Sequence, residues 1–569
     1  IERKDATYRI AKELQTVRIP STIQDIIMAR VDALPEGAKE LLQVGSLIER
    51  EFSYRLIKAA IHLPEEDLLR RLSFLKDAEL LYERSLFPDS TFVFKHALTR
   101  EVVYDTLLER KKKELHIDIG KAIEEVHKDN LDEQYGVLAE HFEQGGDWEK
   151  AAQYFLLAQE RAQRMSSFTE AIAFSRKAVA CLEKLPQTIE VQKKVIDARV
   201  ALAYNCTRLN HIVEARDAVE PVVDLAHQLD YRKSLPTIYV TMGAYLYTSE
   251  ERYVDEARRY LMEAQRLALE EKDYLSLVYG YLHQGIAHFF DCEFAEAESC
   301  DLRMIEIAEA AGNVQVLVAA KCGLATLYAS FEGRIGEALR CAQEALQLAL
   351  KADDLYLKGY AYSACGLAFF RKGFFPEAEE NLNLAIKINQ KTDFTLVLLS
   401  NFTNLASLHF EMGRYQEAQK CCDAGLEVIE RARTLPSVAR IVQILKVLAG
   451  IRGGLNPALD VVLNFDLQET RMRSLQGGAA QAMGEIYLYL DDKHMDEAEA
   501  WIRKAIEMDE QHKMPWDLAR AYALYAEFFR KKADPTQAKE KLGKAIDLMR
   551  SIGADGWVKR YDNELAKLL

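Results

Sequence analysis

Alanine recurs at Ala257, Ala297, Ala338, Ala378, Ala418, Ala458, Ala498 and Ala538, each about forty positions after the last. A fixed period of this size confines a chain to architectures in which one small unit stacks on copies of itself. The chemistry around each alanine repeats too. Glycine lies five residues earlier at Gly333, Gly373, Gly413 and Gly453, where a chain leaving a helix needs a left-handed residue. An apolar residue lies three earlier, as in Phe294, Phe375, Tyr415, Leu455 and Met495. Others follow at four and seven, as in Leu382 and Ala385, Ile502 and Ala505, or Leu542 and Ala545. Spacings of three and four place side chains on one helical stripe. Small residues twelve before the alanine, among them Gly285, Gly366, Ala406 and Ala526, let a preceding helix approach closely. Each period therefore predicts a hairpin of two helices.

This pattern resembles the tetratricopeptide (TPR) repeat, with a small residue in the first helix and A-x-x-x-[FL]-x-x-A in the second. The usual TPR unit is shorter by roughly six positions, so helices or connections here are longer. HEAT repeats share the longer period but not this placing of glycine and alanine. Less regular units precede the array, around Ala151, Ala171 and Ala215, and "GADGWVKRYDNELAKLL" at the end reads as a capping helix. The expected fold is predominantly all-α. A right-handed TPR-like solenoid of ten or eleven hairpins runs from about residue 134, irregular over 131–250, regular over 251–552, and capped by 553–569. Such solenoids carry a concave surface for a protein or peptide. Tyr247, Phe289, Phe370 and Phe410, at the ends of first helices, are candidates to line it, with packing inside the hairpins as the competing reading. The Lys/Asn combination by which some TPR domains clamp a carboxylate terminus is not apparent.

Composition narrows the partners. A net charge of −15 disfavours nucleic acid. The nine cysteines are scattered, with no C-x-x-C, and Cys181, Cys341 and Cys365 fall in apolar helical patterns. A reducing cytoplasmic setting is the expectation. No stretch reads as the roughly 18 apolar residues that cross a bilayer, so no membrane partner is expected. The opening "IERKDATYRI" has neither an initiator Met nor a secretion signal, and reads as part of a longer polypeptide.

The region 1–130 lacks the period. "IPSTIQDIIMARVDALPEGAKELLQVGSLIEREFSYRLIKAA" reads as helices punctuated by Pro20, Pro35 and Gly45, with Ser21 able to cap the one carrying Ile23, Ile26 and Ile27. "LPEEDLLRRLSFLKDAELLYER" predicts a further helix with Leu68, Leu69, Leu72 and Leu75 on one face. Two short strand-like runs follow, "LLYER" (80–84) and "TFVFKH" (91–96). Three helices and a small hairpin are the elements of a winged helix. The expected divisions are 1–34, the helical end of an upstream module, and 35–130, a winged-helix-like domain.

The stretch from "IPSTIQDIIMARVDALPEGAKELLQVGSLIEREF" to "FVFKHALTREVVYDTLLERKKKELH" resembles the segment after the ATPase core in STAND-type signalling ATPases. It is most similar to bacterial proteins that join such an ATPase and a TPR array to a class III adenylate/guanylate cyclase or another signalling domain. "HFEQGGDWEKAAQYFLLAQERA" is similar as well, and the likeness is strongest over residues 20–165. The resemblance implies an upstream P-loop ATPase and effector in the same polypeptide, a winged helix closing over bound ATP or ADP, ligand sensing by the repeats, and oligomerisation on activation. Related switch ATPases place a winged-helix histidine against the β-phosphate of ADP, in plant immune proteins within the motif M-H-D-L. Here Lys95-His96-Ala97-Leu98 matches at the histidine and leucine and departs at the other two. The resemblance therefore nominates His96 as a phosphate sensor, with Lys95 or Arg100 as assisting cations. Capping or packing of the strand-to-helix junction is the alternative role for His96.

No G-x-x-x-x-G-K-[ST] occurs; Lys391-Thr392 follows "AIKINQ" without a glycine loop. Neither cyclase motifs nor H-E-x-x-H are visible, and His116, His127 and His141 are too far apart for a metal site on one helix. Asp5 and Glu13 near the start carry no distinguishing pattern. The basic run "ERKKKELH" (109–116) reads as a solvated helix face. The chain itself is thus expected to be non-catalytic, with no cofactor of its own. A regulatory and sensing region of a signal-transduction ATPase is the first reading. A plain TPR interaction scaffold, and a transcription regulator of the maltose-activator type, are the alternatives.

Overall fold

A computed structural model describes residues 2–4, 7–9, 21–84, 90–250, 254–455 and 457–568. Asp5, Glu13 and Pro20 lie outside them. The chain divides into two compact units, Ile1–Arg161 with Arg176–Gln187, and Ala162–Ser175 with Thr188–Leu569.

The first unit opens with β1 (Glu2–Lys4) and β2 (Thr7–Arg9), paired antiparallel. A helical segment is expected over 1–34; among the described residues, 2–4 and 7–9 are strand and 21–32 form α1 (Ser21–Asp32). Residues 2–9 lack three-and-four apolar spacing and carry Thr7 and Tyr8, which favour strands. Then come α2 (Glu36–Ile48), β3 (Glu51–Ser53), α3 (Tyr54–Ile61), α4 (Glu65–Asp77), β4 (Leu81–Glu83), β5 (Thr91–Phe94), α5 (Ala97–Asp105), α6 (Glu109–Val126), α7 (Tyr135–Gly145) and α8 (Trp148–Arg164). β5 is the middle strand of a three-stranded antiparallel sheet, with Phe92 opposite both Phe52 and Glu83. β3 is an addition to the expected hairpin: very short and leading directly into α3, it has no pattern of its own. Its pairing comes from β5, far along the chain. The sheet lies against α2, where Gly45 leaves room for the Phe52 ring: a Cβ there would stand 2.7 Å from it.

α2, on which Leu41 and Leu42 are fully buried, packs on α4, α5 and α6. Three carboxylates in the first turn of α4, Glu65, Glu66 and Asp67, suit the positive end of its dipole. Its stripe is narrower than expected: Leu68, Leu72 and Leu75 are buried, while Leu69 is 42 % exposed. Leu69 stands about 100° round the helix from Leu68, beyond the edge of that stripe.

α9 (Phe168–Leu182) follows, and the second unit continues as helical hairpins. The early ones are α10 (Ile189–Arg208) with α11 (Ile212–Val219), a short α12 (Val223–Gln228), and α13 (Leu235–Tyr245) with α14 (Val254–Glu271). Regular pairs follow: α15 (Tyr274–Phe290) with α16 (Phe294–Ala311), α17 (Val314–Leu327) with α18 (Ile335–Ala352), and α19 (Leu355–Lys372) with α20 (Phe375–Thr392). Next are α21 (Thr395–Glu411) with α22 (Tyr415–Ala432) and α23 (Pro436–Arg452) with the single-turn α24 (Asp460–Leu463). The array finishes with α25 (Arg473–Leu490) and α26 (Met495–Gln511), α27 (Pro515–Lys531) and α28 (Pro535–Ser551), and the final α29 (Asp555–Ala566).

Seven of the eight periodic alanines are buried between helices. The small residues twelve before them act as expected: a Cβ on Gly366 would stand 2.7 Å from Leu382. Gly333, Gly373 and Gly413 have φ of +68°, +86° and +73°. The eighth alanine, Ala458, is exposed, and the helix expected to begin there is reduced to α24. The left-handed residue in this unit is Gly454, at φ +77°, one position later than expected. Pro457, which lacks an amide hydrogen, then meets a stretch broken by Asn464 and Asp466.

No apolar stretch of bilayer-spanning length was expected, yet Val314–Glu332 is long and apolar enough by length and composition. In this fold it is a core helix, packed between α16, α18 and α19 with most of its residues buried.

Hairpins of the second unit also touch at long range, in a regular series. Ser166, in the turn before α9, donates to Asp354 between α18 and α19 (2.6 Å). The amide of Thr395 donates to the carbonyl of Leu209 (3.2 Å), and that of Leu435 to the carbonyl of Thr248 (2.7 Å). Lys372 pairs with Asp555 (2.8 Å), and the Trp557 indole donates to the carbonyl of Phe370 (3.1 Å). The sequence separations are nearly constant, at four to five hairpins. In each, a turn inside or at the end of one hairpin meets a junction between later hairpins, so the array winds back onto itself.

Candidate functional site

In the first unit His96 occupies the residue before α5, with φ −132° and ψ 130°. Its side chain is exposed and makes no capping hydrogen bond; the bond closing this helix start runs instead from the amide of Thr99 to the carbonyl of His96 (3.0 Å). Lys95 beside it is ion-paired to Glu79 at 2.8 Å. Arg100 points back into the fold, where its Nε donates to the carbonyl of Ser46 at 2.9 Å. Of the three nominated residues, His96 alone has a side chain with no hydrogen bond or ion pair among the described residues, though its charge is felt by Glu79 nearby.

The same unit brings together two histidines that sequence spacing had set apart. His116 on α6 and His141 on α7 approach to 2.9 Å between Nδ1 atoms, both buried. Burial pushes each imidazole down to about 4. One ring donates to the other, an arrangement that requires the accepting imidazole to be neutral. No cluster of three metal-ligating side chains exists among the described residues.

The four nominated aromatics of the repeats do not share a surface. Tyr247 is buried, its hydroxyl 2.9 Å from His283 Nδ1. Phe370 packs on Trp516 and Trp557. Phe410 stacks edge-on with Tyr415 and borders a polar cavity of about 520 Å³ that is shared with Arg452, Glu485 and Arg520. Only Phe289 faces the space enclosed by the first helices of successive hairpins. Packing among adjacent hairpins, close to the competing reading, accounts for Tyr247, whereas Phe370 packs against helices about four hairpins away.

That enclosed space is a cavity of about 270 Å³ bounded by α15, α16, α17, α19, α21 and α23. Leu282, Ile286, Phe289, Phe290, Leu396 and Val438 make its wall mostly apolar. Asp301 and Tyr360 are the titratable side chains lining it. Asp301 is 9 % exposed and has neither a hydrogen bond nor an ion pair among the described residues. Burial, with Glu298 one turn away adding to it, pushes its carboxyl well above the ordinary range. Gly323 on α17 makes the room: a Cβ there would lie 2.7 Å from Asp301 Oδ1. Further round, Ser363 donates to Asn401 (2.5 Å) and Asn404 to Ser400 (3.2 Å). Asp301 escapes notice in the sequence because it sits among the glutamates of an ordinary amphipathic helix, one turn after the periodic Ala297.

Arg208 is the other group that sequence reading missed. It is buried where α10 ends, with its guanidinium over Phe168 (4.5 Å) and Tyr356 (5.2 Å). It donates to the Tyr279 hydroxyl (2.8 Å) and to Gln315 (3.3 Å). Aromatic faces stand where a carboxylate would usually neutralise such a charge.

The tetratricopeptide repeat model matches residues 399–430 and 482–512, which fall on α21–α22 and α25–α26. No curated protein matches the chain. Among solved structures, a Rap protein complexed with competence and sporulation factor is 15 % identical, with 64 % of this chain and 98 % of that one covered and a TM-score of 0.48. A STAND protein with a tetratricopeptide repeat sensor from Pyrococcus horikoshii is 14 % identical, with coverage of 97 % and 68 % and a TM-score of 0.33. The apo quorum sensor NprR from B. thuringiensis is 13 % identical, with coverage of 66 % and 99 % and a TM-score of 0.31. At such scores the likenesses carry no argument about function. The repeat unit of this chain is a TPR-like α-solenoid.

Proposed function

We propose that this chain is the regulatory and sensing region of a multidomain signal-transduction ATPase of the cytoplasm. The repeat unit takes a protein or small ligand. A winged-helix-like part of the first unit governs nucleotide-dependent activation, with the ATPase, the effector and assembly on activation lying beyond this chain. The chain performs no catalytic step itself. The observation that carries the reading is His96, whose imidazole is exposed at the exit of β5 and makes no capping hydrogen bond, while Lys95 is ion-paired to Glu79 and Arg100 donates to Ser46. The order of elements around it, three helices with a three-stranded antiparallel sheet, supports the same reading. A neutral or protonated imidazole at a strand-to-helix junction suits contact with a phosphate arriving from another domain.

The test uses the longer polypeptide. Its upstream region is expected to hold a P-loop, and the purified protein to retain ADP. His96→Ala is expected to lose that nucleotide with little change in melting temperature. Unchanged retention with lowered stability would make the histidine structural and sink the switch reading.

A further inference from the structure

We infer that the cavity inside the repeat unit is a site for a small apolar amine, held by an ion pair between its ammonium group and Asp301. This deepens the sensing role proposed above, and rests on it only for what binding would signal.

Three observations converge. First, Asp301 is a carboxyl more than nine-tenths buried, without a partner among the described residues, on the wall of an otherwise apolar space. Native proteins seldom keep such a group unsatisfied, because its desolvation is not offset. Second, the groups facing it from every side are acids or neutral: Glu298 and Cys300 on its own helix, Cys322 on α17 and Tyr360 on α19. Among the described residues the cavity wall holds no lysine, arginine or histidine. Third, the Phe289, Phe290 and Tyr360 rings also border the space, and aromatic faces attract cations. A carboxylate ligand finds no cation on this wall to pair with, and an alcohol would gain a hydrogen bond without the Coulomb attraction. An ammonium group gains both, and an apolar body fills the rest. The volume, about 270 Å³, lies near the lower end of small-molecule sites and selects a compact ligand.

Protons balance simply. Burial favours the neutral acid at Asp301 in the empty site. The amine arrives as ammonium, any proton on Asp301 passes to the buffer, and the bound state is the ion pair, so binding is accompanied by proton release.

Phenethylamine, 2-phenylethanol and 3-phenylpropionate share one apolar body and differ in the polar head, and they serve as probes for calorimetry on the whole chain. Phenethylamine is expected to bind, with heats in two buffers of different ionisation enthalpy reporting the released proton. Asp301→Asn, nearly isosteric, is expected to weaken the amine at least about tenfold and to abolish the proton release. Ser400→Leu, which fills the cavity from α21 and leaves the carboxyl in place, is expected to block binding. Equal affinity for the alcohol, unchanged amine affinity in Asp301→Asn, or no uptake of any probe at millimolar concentration would each overturn the inference. None of these outcomes touches the nucleotide test of His96, so this site and the proposed switch fail separately.

Discussion

The His116–His141 pair sets a pH dependence that can be derived with its sign. Both imidazoles titrate near 4 in the folded chain and near 6.5 when unfolded. Between those values the unfolded chain binds protons that the folded chain refuses, so stability rises with pH across the window. The contribution is complete above about pH 6.5 and lost as pH falls towards 4, on the order of a few kcal/mol for the pair. Hydrogen exchange over residues 109–145 is expected to accelerate on acidification from pH 7 to 4.5. The double variant His116→Leu/His141→Leu should flatten that response; an unchanged profile would refute the assignment. Neither histidine announces this in sequence, because only the crossing of α6 and α7 brings them together, 25 positions apart.

At the scale of elements, the sequence was most legible where structure is local. The alanine period, the glycine turns and the small residues twelve before each alanine specified the hairpins, since all act within a single repeat. Where local rules conflicted, the expectation failed: Pro457 beside Gly453 and Gly454 removed most of one helix, although Ala458 kept the register. β3 was invisible for the opposite reason, as its only strand partner is β5, far along the chain. The final helix, α29, was foreseen as a cap but not for what it covers. Trp557 is almost fully buried, packs on Phe375 and Trp516, and donates to the carbonyl of Phe370. Trp557→Ala is expected to cost about 3–5 kcal/mol and Trp557→Phe about 1 kcal/mol. Urea denaturation of the whole chain checks the difference, and no loss in Trp557→Phe would mean that the indole bond contributes nothing.

At the scale of the repeat unit, the candidate site was illegible because a solenoid is read from neighbours. Its wall draws on six helices between Leu282 and Val438, and no motif spans that distance. The contacts between distant hairpins likewise have no signature beyond an odd glycine or tryptophan. They alter the energetics. In an array whose units touch only their neighbours, stability is a sum of local terms and the ends fray independently. Here Gly373, at φ +86°, lies so close to α29 that a Cβ would stand 2.6 Å from the Trp557 amide. Deletion of residues 553–569 is therefore expected to lower exchange protection around 370–374, more than four hairpins upstream, as well as in α27 and α28. Loss confined to α27 and α28 would show that the long-range contacts carry no stability.

The same contacts bear on mechanics. An ordinary superhelical array stretches like a soft spring, each hairpin opening slightly against the next. One whose successive coils are pinned by Ser166–Asp354, Leu209–Thr395, Thr248–Leu435 and Phe370–Trp557 resists extension until a pin gives way, and then yields abruptly.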